Sequence, residues 1–179
     1  MKKLSEMSLE ELWELFPIYL TEHKPYWKDW YEEEVAALKN ILPPDTAYHH
    51  IGSTAIEGIR AKPIIDILIV VKCAAQMHVA ADIMQNNGYI VMSANDKRIS
   101  LNKGYTENGF AEKVFHLHLR LEDDKDEIYF RDYLNAHCEV AKQYEDLKLQ
   151  LWKKYEHNRD AYTEAKTQFV KKYTRLAKP

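Results

Sequence analysis

Ile64-Ile65-Asp66-Ile67-Leu68-Ile69-Val70-Val71 is the stretch on which the fold turns. Eight residues, most of them β-branched, read as the most strand-like segment of the chain. One carboxylate interrupts it. Burying Asp66 as a charge is costly unless it is paired, hydrogen-bonded or metal-bound, so its side chain is expected to point into a cleft, with capping of nearby amides or pairing to Lys62 or Arg60 as the structural alternative. Upstream, Ala47 to Ile51 is a second β-prone segment and runs into Gly52-Ser53-Thr54. A turn at that place offers backbone N–H groups and a hydroxyl to a phosphate. A phosphate site followed by a strand that carries an acid 14 residues after Gly52 is a layout suited to phosphoryl transfer.

Downstream, Cys73 to Asn87 reads as a helix burying Met77, Ala80, Ala81 and Met84, stopped by Gly88. Strands are expected at Tyr89 to Met92, Arg98 to Asn102 and Lys113 to Leu121. The last of these holds His116-Leu117-His118, and alternation sets both imidazoles on one face with Phe115, Leu117 and Leu119 on the other. If that strand neighbours the one carrying Asp66, the three polar side chains converge on a carboxylate-and-imidazole site suited to a transition metal rather than to magnesium alone, with Mg, Mn or Zn as the candidate divalent ions. Only one of His49 and His50 can face the cleft, and the period shared with Gly52 favours His50. Arg60, Lys62, Arg131 and Lys166 are candidate phosphate contacts by charge and position.

Outside this centre the chain reads as helical. Ser8 and Glu11 fit a capping box opening a short helix that Pro17 ends, an N-terminal extension over residues 1–17. Residues 18–21 are expected as a short strand and Trp27 to Leu42 as an amphipathic helix. From Ile128 to Ala177 the apolar spacing Tyr144, Leu147, Leu151, Tyr155 and then Tyr162, Ala165, Phe169, Tyr173 is helical, with a break near His157 and Asn158 as N-cap. The expected whole is an α/β (α+β) domain over residues 18–179: a mixed sheet, flanking helices and a helical C-terminal third.

Composition narrows the function classes. A net charge of −3 gives no indication of a nucleic-acid binder. Residues from Arg131 onward nevertheless hold 11 Lys and Arg against 7 Asp and Glu, a balance that reads first as solvated helix faces and, as the sharper alternative, as a basic wall facing a phosphate-bearing ligand. The longest apolar run is the eight-residue strand itself, far from the ~20 residues of a membrane helix. Lys2 and Lys3 are not followed by an apolar stretch of signal-peptide length. Cys73 and Cys138 read as isolated reduced thiols. A cytoplasmic protein is expected.

Taken together, His50-Ile51-Gly52-Ser53-Thr54-Ala55-Ile56-Glu57-Gly58-Ile59-Arg60-Ala61-Lys62-Pro63-Ile64-Ile65-Asp66-Ile67 resembles the signature of the GrpB-like family, whose fold is of the nucleotidyltransferase (polymerase β-like) type. Pro25-Tyr26-Trp27, Phe115-His116-Leu117-His118, Phe130-Arg131-Asp132-Tyr133-Leu134 and Asp160 to Lys166 are similar to the family as well. The resemblance implies a Gly-Ser turn that holds nucleotide phosphates and two or three carboxylates that hold divalent metal. Fusions of the family to dephospho-CoA kinase imply a link to nucleotide or coenzyme metabolism.

This chain departs from the superfamily pattern at the second acid, where Leu68 stands, and at the third, where its strand offers His116 and His118. The leading expectation is a nucleotidyltransferase-like protein. In it Gly52, Ser53, Thr54, Lys62, Arg131 and Lys166 bind a nucleotide or other phosphate ligand, Asp66 is catalytic, Asp66, His116 and His118 bind metal, and His50 and Arg60 flank the cleft. The alternative is a non-catalytic nucleotide- or coenzyme-binding module. An interaction domain built on the Tyr-rich helices would require Gly52 and Asp66 to be covered by packing.

Overall fold

The computed structural model describes residues 2–179. Helices α1 (Leu9–Leu15) and α2 (Tyr26–Lys39) precede β1 (Ala47–Ile51), a single 3-10 turn at Ser53–Ala55 and β2 (Ile64–Val71). Then come α3 (Ala74–Asn86), β3 (Ile90–Ala94), β4 (Arg98–Thr106) and β5 (Gly109–Leu121), and the chain closes with α4 (Asp126–Ala136), α5 (Cys138–Tyr155) and α6 (Arg159–Ala177). The five strands form one mixed sheet in the order β1-β2-β5-β4-β3, with β2 parallel to β5 and the other neighbours antiparallel.

The apolar segment that opened the sequence analysis is therefore central, and alternation divides its residues between two cores. Ile65, Ile67, Ile69 and Val71 join Phe115, Leu117 and Leu119 of β5 in a core packed against α2 and α3 through Trp27, Leu38, Met77 and Met84. Asp66, Leu68 and Val70 face the other way. There Leu68, fully buried, packs with Ile51 and Val70 beneath Ile128 of α4. A second helical core, centred on Phe130, Leu134, Val140, Ala141, Tyr144 and Tyr173, welds α4, α5 and α6 together and takes in Ile56 and Ile59 from the segment between β1 and β2. The C-terminal helices thus roof the face of the sheet that bears Asp66.

Several local expectations hold. Ser8 accepts a hydrogen bond from the Glu11 amide while Glu11 returns one to Ser8, and Asn158 caps α6 by accepting from the Ala161 amide at 3.0 Å. Others are corrected. Residues 18–21 form no strand and contribute one isolated bridge, Thr21 with Ala61. The helical third breaks at His137 as well as near Asn158, a break that no Gly or Pro around His137 marks in the sequence. The β4–β5 hairpin is longer than the sequence indicated, running through Thr106 and back from Gly109. Phe16, just ahead of Pro17, packs between Tyr105 and Phe110 of that hairpin, with ring centroids at 4.8 and 5.0 Å.

The two-faced division of β2 makes a direct test. Leu68→Asp places an unpaired carboxylate beneath Ile128. It should lower unfolding free energy by about 3 kcal/mol or more, read as a fall in the urea midpoint. An undiminished midpoint would show that Leu68 faces a polar space.

Candidate functional site

Asp66, His116 and His118 share one face because β2 and β5 run parallel in register, with Asp66 opposite His116 and Leu68 opposite His118. Asp66 Oδ1 lies 3.0 Å from His118 Nε2 and 3.5 Å from His116 Nδ1. On the far side of the His116 ring, Nε2 meets the Tyr105 hydroxyl at 2.7 Å, and that hydroxyl in turn accepts from Arg159 Nη1 at 2.8 Å. Because Arg159 can only donate, the Tyr105 proton is free to go to His116 Nε2. The His116 proton then sits on Nδ1 and points at Asp66. The chain of donors reads Arg159 to Tyr105 to His116 to Asp66.

Two glycines make this geometry possible. At Gly104 (φ 90°) a β-bulge interrupts the β4–β5 register, and Tyr105 stacks over His116, at 5.8 Å and 18° between planes, on the Asp66 face. A Cβ at Gly104 would run into the Lys113 carbonyl. Gly52 (φ 73°) allows the sharp turn out of β1, and a Cβ there would stand 2.5 Å from Asp66 Oδ2. One carboxylate oxygen is thus engaged by imidazoles and the other abuts the Gly52 turn. Burial opposes ionisation of Asp66, but the hydrogen bonds from His116 and His118 outweigh it and hold the carboxyl well below its usual range. Burial also lowers His116 against the pull of Asp66, which favours its neutral form.

Around Asp66 opens a cleft of ≈ 760 Å³ whose walls include Gly52, Ser53, Lys62, His116, His118, Tyr144 and Lys148. Helix α6 supplies a whole side of it through Arg159, Tyr162, Thr163, Lys166 and Thr167, the i, i+3, i+4, i+7 spacing of one helical face. Four cations therefore meet in one space. Lys62 and Lys166 lie against the ring of the fully buried Tyr162, at 5.4 and 4.4 Å from its centroid. Lys148 donates to the Arg60 carbonyl at 2.5 Å, and Arg159 Nη2 is buried with no hydrogen-bond partner. Among the described residues none of the four has a carboxylate within 4.0 Å. Burial and mutual repulsion push Lys148 down to about 7; for Lys166 burial is the main cause, and it falls to about 8. Lys62 is lowered as well, by the same burial and by Lys166 and Arg159.

Seven of the residues singled out in the sequence line this cleft: Gly52, Ser53, Lys62, Asp66, His116, His118 and Lys166. Four do not. His50 pairs with Ile67, on the face opposite Asp66, and stacks on Tyr31 of α2 at 4.9 Å. It is His49, opposite Leu68, that shares the Asp66 face; counting the period through Gly52 failed because the chain leaves the strand there. Thr54 is buried and hydrogen-bonded to His50 Nε2 at 2.9 Å. Arg60 turns outward to Glu22. Arg131 is a strap from α4 to β1, donating to the His50 carbonyl at 2.8 Å and pairing with Asp132. Sequence reasoning missed Lys148, Arg159 and Tyr105. The first two were signalled by position, Lys148 one turn after Tyr144 and Arg159 one and two turns before Tyr162 and Lys166; Tyr105 depends on the bulge and carried no signal.

The three residues expected to ligate metal are together, yet they do not fit one as they stand. Both imidazoles turn an N–H toward Asp66, whereas a metal ligand presents a lone pair. Among the described residues no group of three His, Cys, Asp or Glu side chains is arranged to hold a metal ion.

Comparison with known proteins places this geometry. The sequence profile described as "GrpB protein" matches residues 17–176. The protein YqkA of Bacillus subtilis is 33% identical over 149 residues, which cover 81% of this chain and 43% of that protein, so the chain spans less than half of that relative's length. Among solved structures, the conserved protein GrpB from Enterococcus faecalis superposes with a TM-score of 0.76 at 31% identity, covering 89% of this chain and 96% of that one. A structure of the Cid1 poly(U) polymerase superposes at a TM-score of 0.50 and 13% identity, over 82% of this chain and 45% of that one. The fold is thus of nucleotidyltransferase type. Among the described residues, no helix is long and apolar enough to cross a membrane.

The unpaired lysines make a stability prediction. Lys166 titrates near 8 when folded and near 10.5 when unfolded. Between those values the unfolded chain binds the proton and the folded chain does not, so wild-type stability rises with pH across that window and is lost as pH falls toward 8. Lys166→Met should be more stable than wild type at pH 7 and show a shallower rise between pH 8 and the tyrosine range near ~10. Urea midpoints across that range measure it; a variant less stable at pH 7 would mean that Lys166 is paired.

Proposed function

We propose that this chain, which belongs to the GrpB family, binds a nucleotide or another small polyphosphate ligand in the cleft between Gly52-Ser53 and α6, as a nucleotidyltransferase-like protein. One observation carries this reading: Lys62, Lys148, Arg159 and Lys166, buried or half-buried, face a single space and, among the described residues, none of them has a carboxylate within ion-pairing distance. An isolated buried charge is costly to fold around, and a polyanion arriving in the cleft is what offsets that cost. The residues divide the work by position. The Gly52 turn brings the backbone close, Ser53 and the Ser53–Ala55 turn offer a hydroxyl and amides, Lys62 and Lys166 meet phosphate oxygens beside Tyr162, and Arg159 orients them with the Nη2 that lacks a partner.

The Asp66 centre supplies a proton site. Asp66 fixes the His118 proton on Nε2, so that in the neutral ring Nδ1 carries the lone pair and can accept a proton from an acceptor hydroxyl in the cleft. His116, locked between Asp66 and Tyr105, keeps that carboxylate charged and oriented. A second reading, a binding module without turnover, is favoured by Leu68, whose burial beneath Ile128 leaves one acid where transferases of this fold class use a pair. A divalent metal at Asp66 belongs to neither reading as the imidazoles stand.

Titration calorimetry with a nucleoside triphosphate tests the binding. Saturable uptake is expected, with net proton uptake near pH 8 as the lysines charge against phosphate. Gly52→Ala should weaken binding by about tenfold or more, because the new Cβ both strains the turn and displaces Asp66 Oδ2. Incubation with labelled triphosphates and candidate acceptors separates the readings, since release of pyrophosphate marks turnover and its absence with intact binding marks the module. No saturable binding of any polyphosphate would overturn both.

A further inference from the structure

Four of the cations that line the cleft, and one carboxylate engaged through a single oxygen, bear on what form the ligand takes. Lys62 arrives from the loop before β2, Lys148 from α5, and Arg159 and Lys166 from α6, so three separate elements have been positioned to bring positive charge to one place. Their present contacts are weak or neutral: the face of Tyr162 for two, a backbone carbonyl for one, a phenol for the fourth. The remaining carboxylates that line the cleft, Asp126 and Glu127, are paired with Lys178 at 2.6 Å and with Arg120 at 3.5 Å. Asp66 is the one acid among the four cations, and its Oδ1 takes two imidazole donors while its Oδ2 lies against the Gly52 turn.

A divalent ion would find little to hold it here. Ligation by His116 through Nδ1 requires moving its proton to Nε2 and so breaking the bond from Tyr105, which Arg159 keeps oriented. Ligation by His118 through Nε2 requires the same exchange at the bond to Asp66, and the lone pair left on its Nδ1 points away from that carboxylate, so the two cannot meet at one ion. Leu68, which closes the floor beside His118, offers no oxygen. Any ion seated at Asp66 would also share a partly desolvated cleft with the Arg159 guanidinium and with lysines whose protonation it would oppose.

Resting on the polyphosphate reading above, the geometry points to a site that takes its ligand as the free, unchelated polyphosphate anion. The ammonium and guanidinium groups of Lys62, Lys148, Arg159 and Lys166 do the neutralising that a divalent cation does in two-metal transferases. Phosphate oxygens have charge-assisted donors on three sides, and chelation of the ligand by magnesium removes oxygens that these donors need. Magnesium is therefore a competitor for the ligand rather than its carrier.

Calorimetric titration of the full chain with ATP and, separately, with inorganic tripolyphosphate, each in EDTA and in excess magnesium, tests this. The expected result is saturable binding in EDTA that weakens severalfold in excess magnesium at matched ionic strength. In EDTA, Lys166→Met should lose about tenfold or more, while Lys166→Arg retains most of the affinity and the surface control Lys153→Met leaves it unchanged. Circular dichroism melts establish that each variant is folded before titration. Binding that appears only with magnesium or manganese overturns the unchelated site and leaves the polyphosphate reading standing. Binding in EDTA that ignores both Lys166→Met and Arg159→Met overturns the assignment of these cations. Absence of binding in every condition overturns the polyphosphate reading itself.

Discussion

Asp66 sits in the middle of the most apolar strand of the sheet, and its ionised carboxylate is tolerable there because two imidazoles donate to one of its oxygens. Much of the surrounding structure serves that arrangement. The parallel pairing of β2 with β5 brings His116 and His118 alongside, the bulge at Gly104 places Tyr105 on the same side as His116, and Arg159 at the start of α6 holds the Tyr105 hydroxyl. A change at any of these points reaches the carboxylate through a hydrogen bond, with no need for long-range rearrangement. The Gly52 turn is tied to it sterically, since Asp66 Oδ2 occupies the space where a side chain at that position would go.

The C-terminal helices complete the site from the opposite side and bring a different kind of charge. Helix α6 is held by Tyr173 and Phe169 in the helical core, and its cleft-facing side is then committed to Arg159, Tyr162 and Lys166. Packing these cations against aromatic faces lessens the cost of burying them without satisfying them. In that they differ from the Glu34 cluster on the far face of the sheet, where Lys103 and Tyr89 both reach the carboxylate.

Leu68 links the fold to the question of chemistry. In its place an acid would be buried among Ile51, Val70 and Ile128. A site with fewer anions needs less divalent metal, and a site with more fixed cations repels it.

The sequence by itself determined the strand-turn-strand layout from Ala47 to Val71, the shared face of His116 and His118, the caps at Ser8 and Asn158, and the helical C-terminal third. These follow from periodicity and local chemistry, which act over a few residues. It also carried the excess of positive charge after Arg131. Only the tertiary structure decided which of those charges meet. Lys148, Arg159 and Lys166 reach the cleft through the packing of α5 and α6, whereas Arg131 and Arg60 turn to His50, Asp132 and Glu22. The face of His50 and the side of Tyr105 were likewise settled by a turn and a bulge that break the two-residue period. Where a side chain's direction depends on such a break, or on which helix lies above it, alternation along the chain no longer fixes it, and the contact has to be made before the residue has a role.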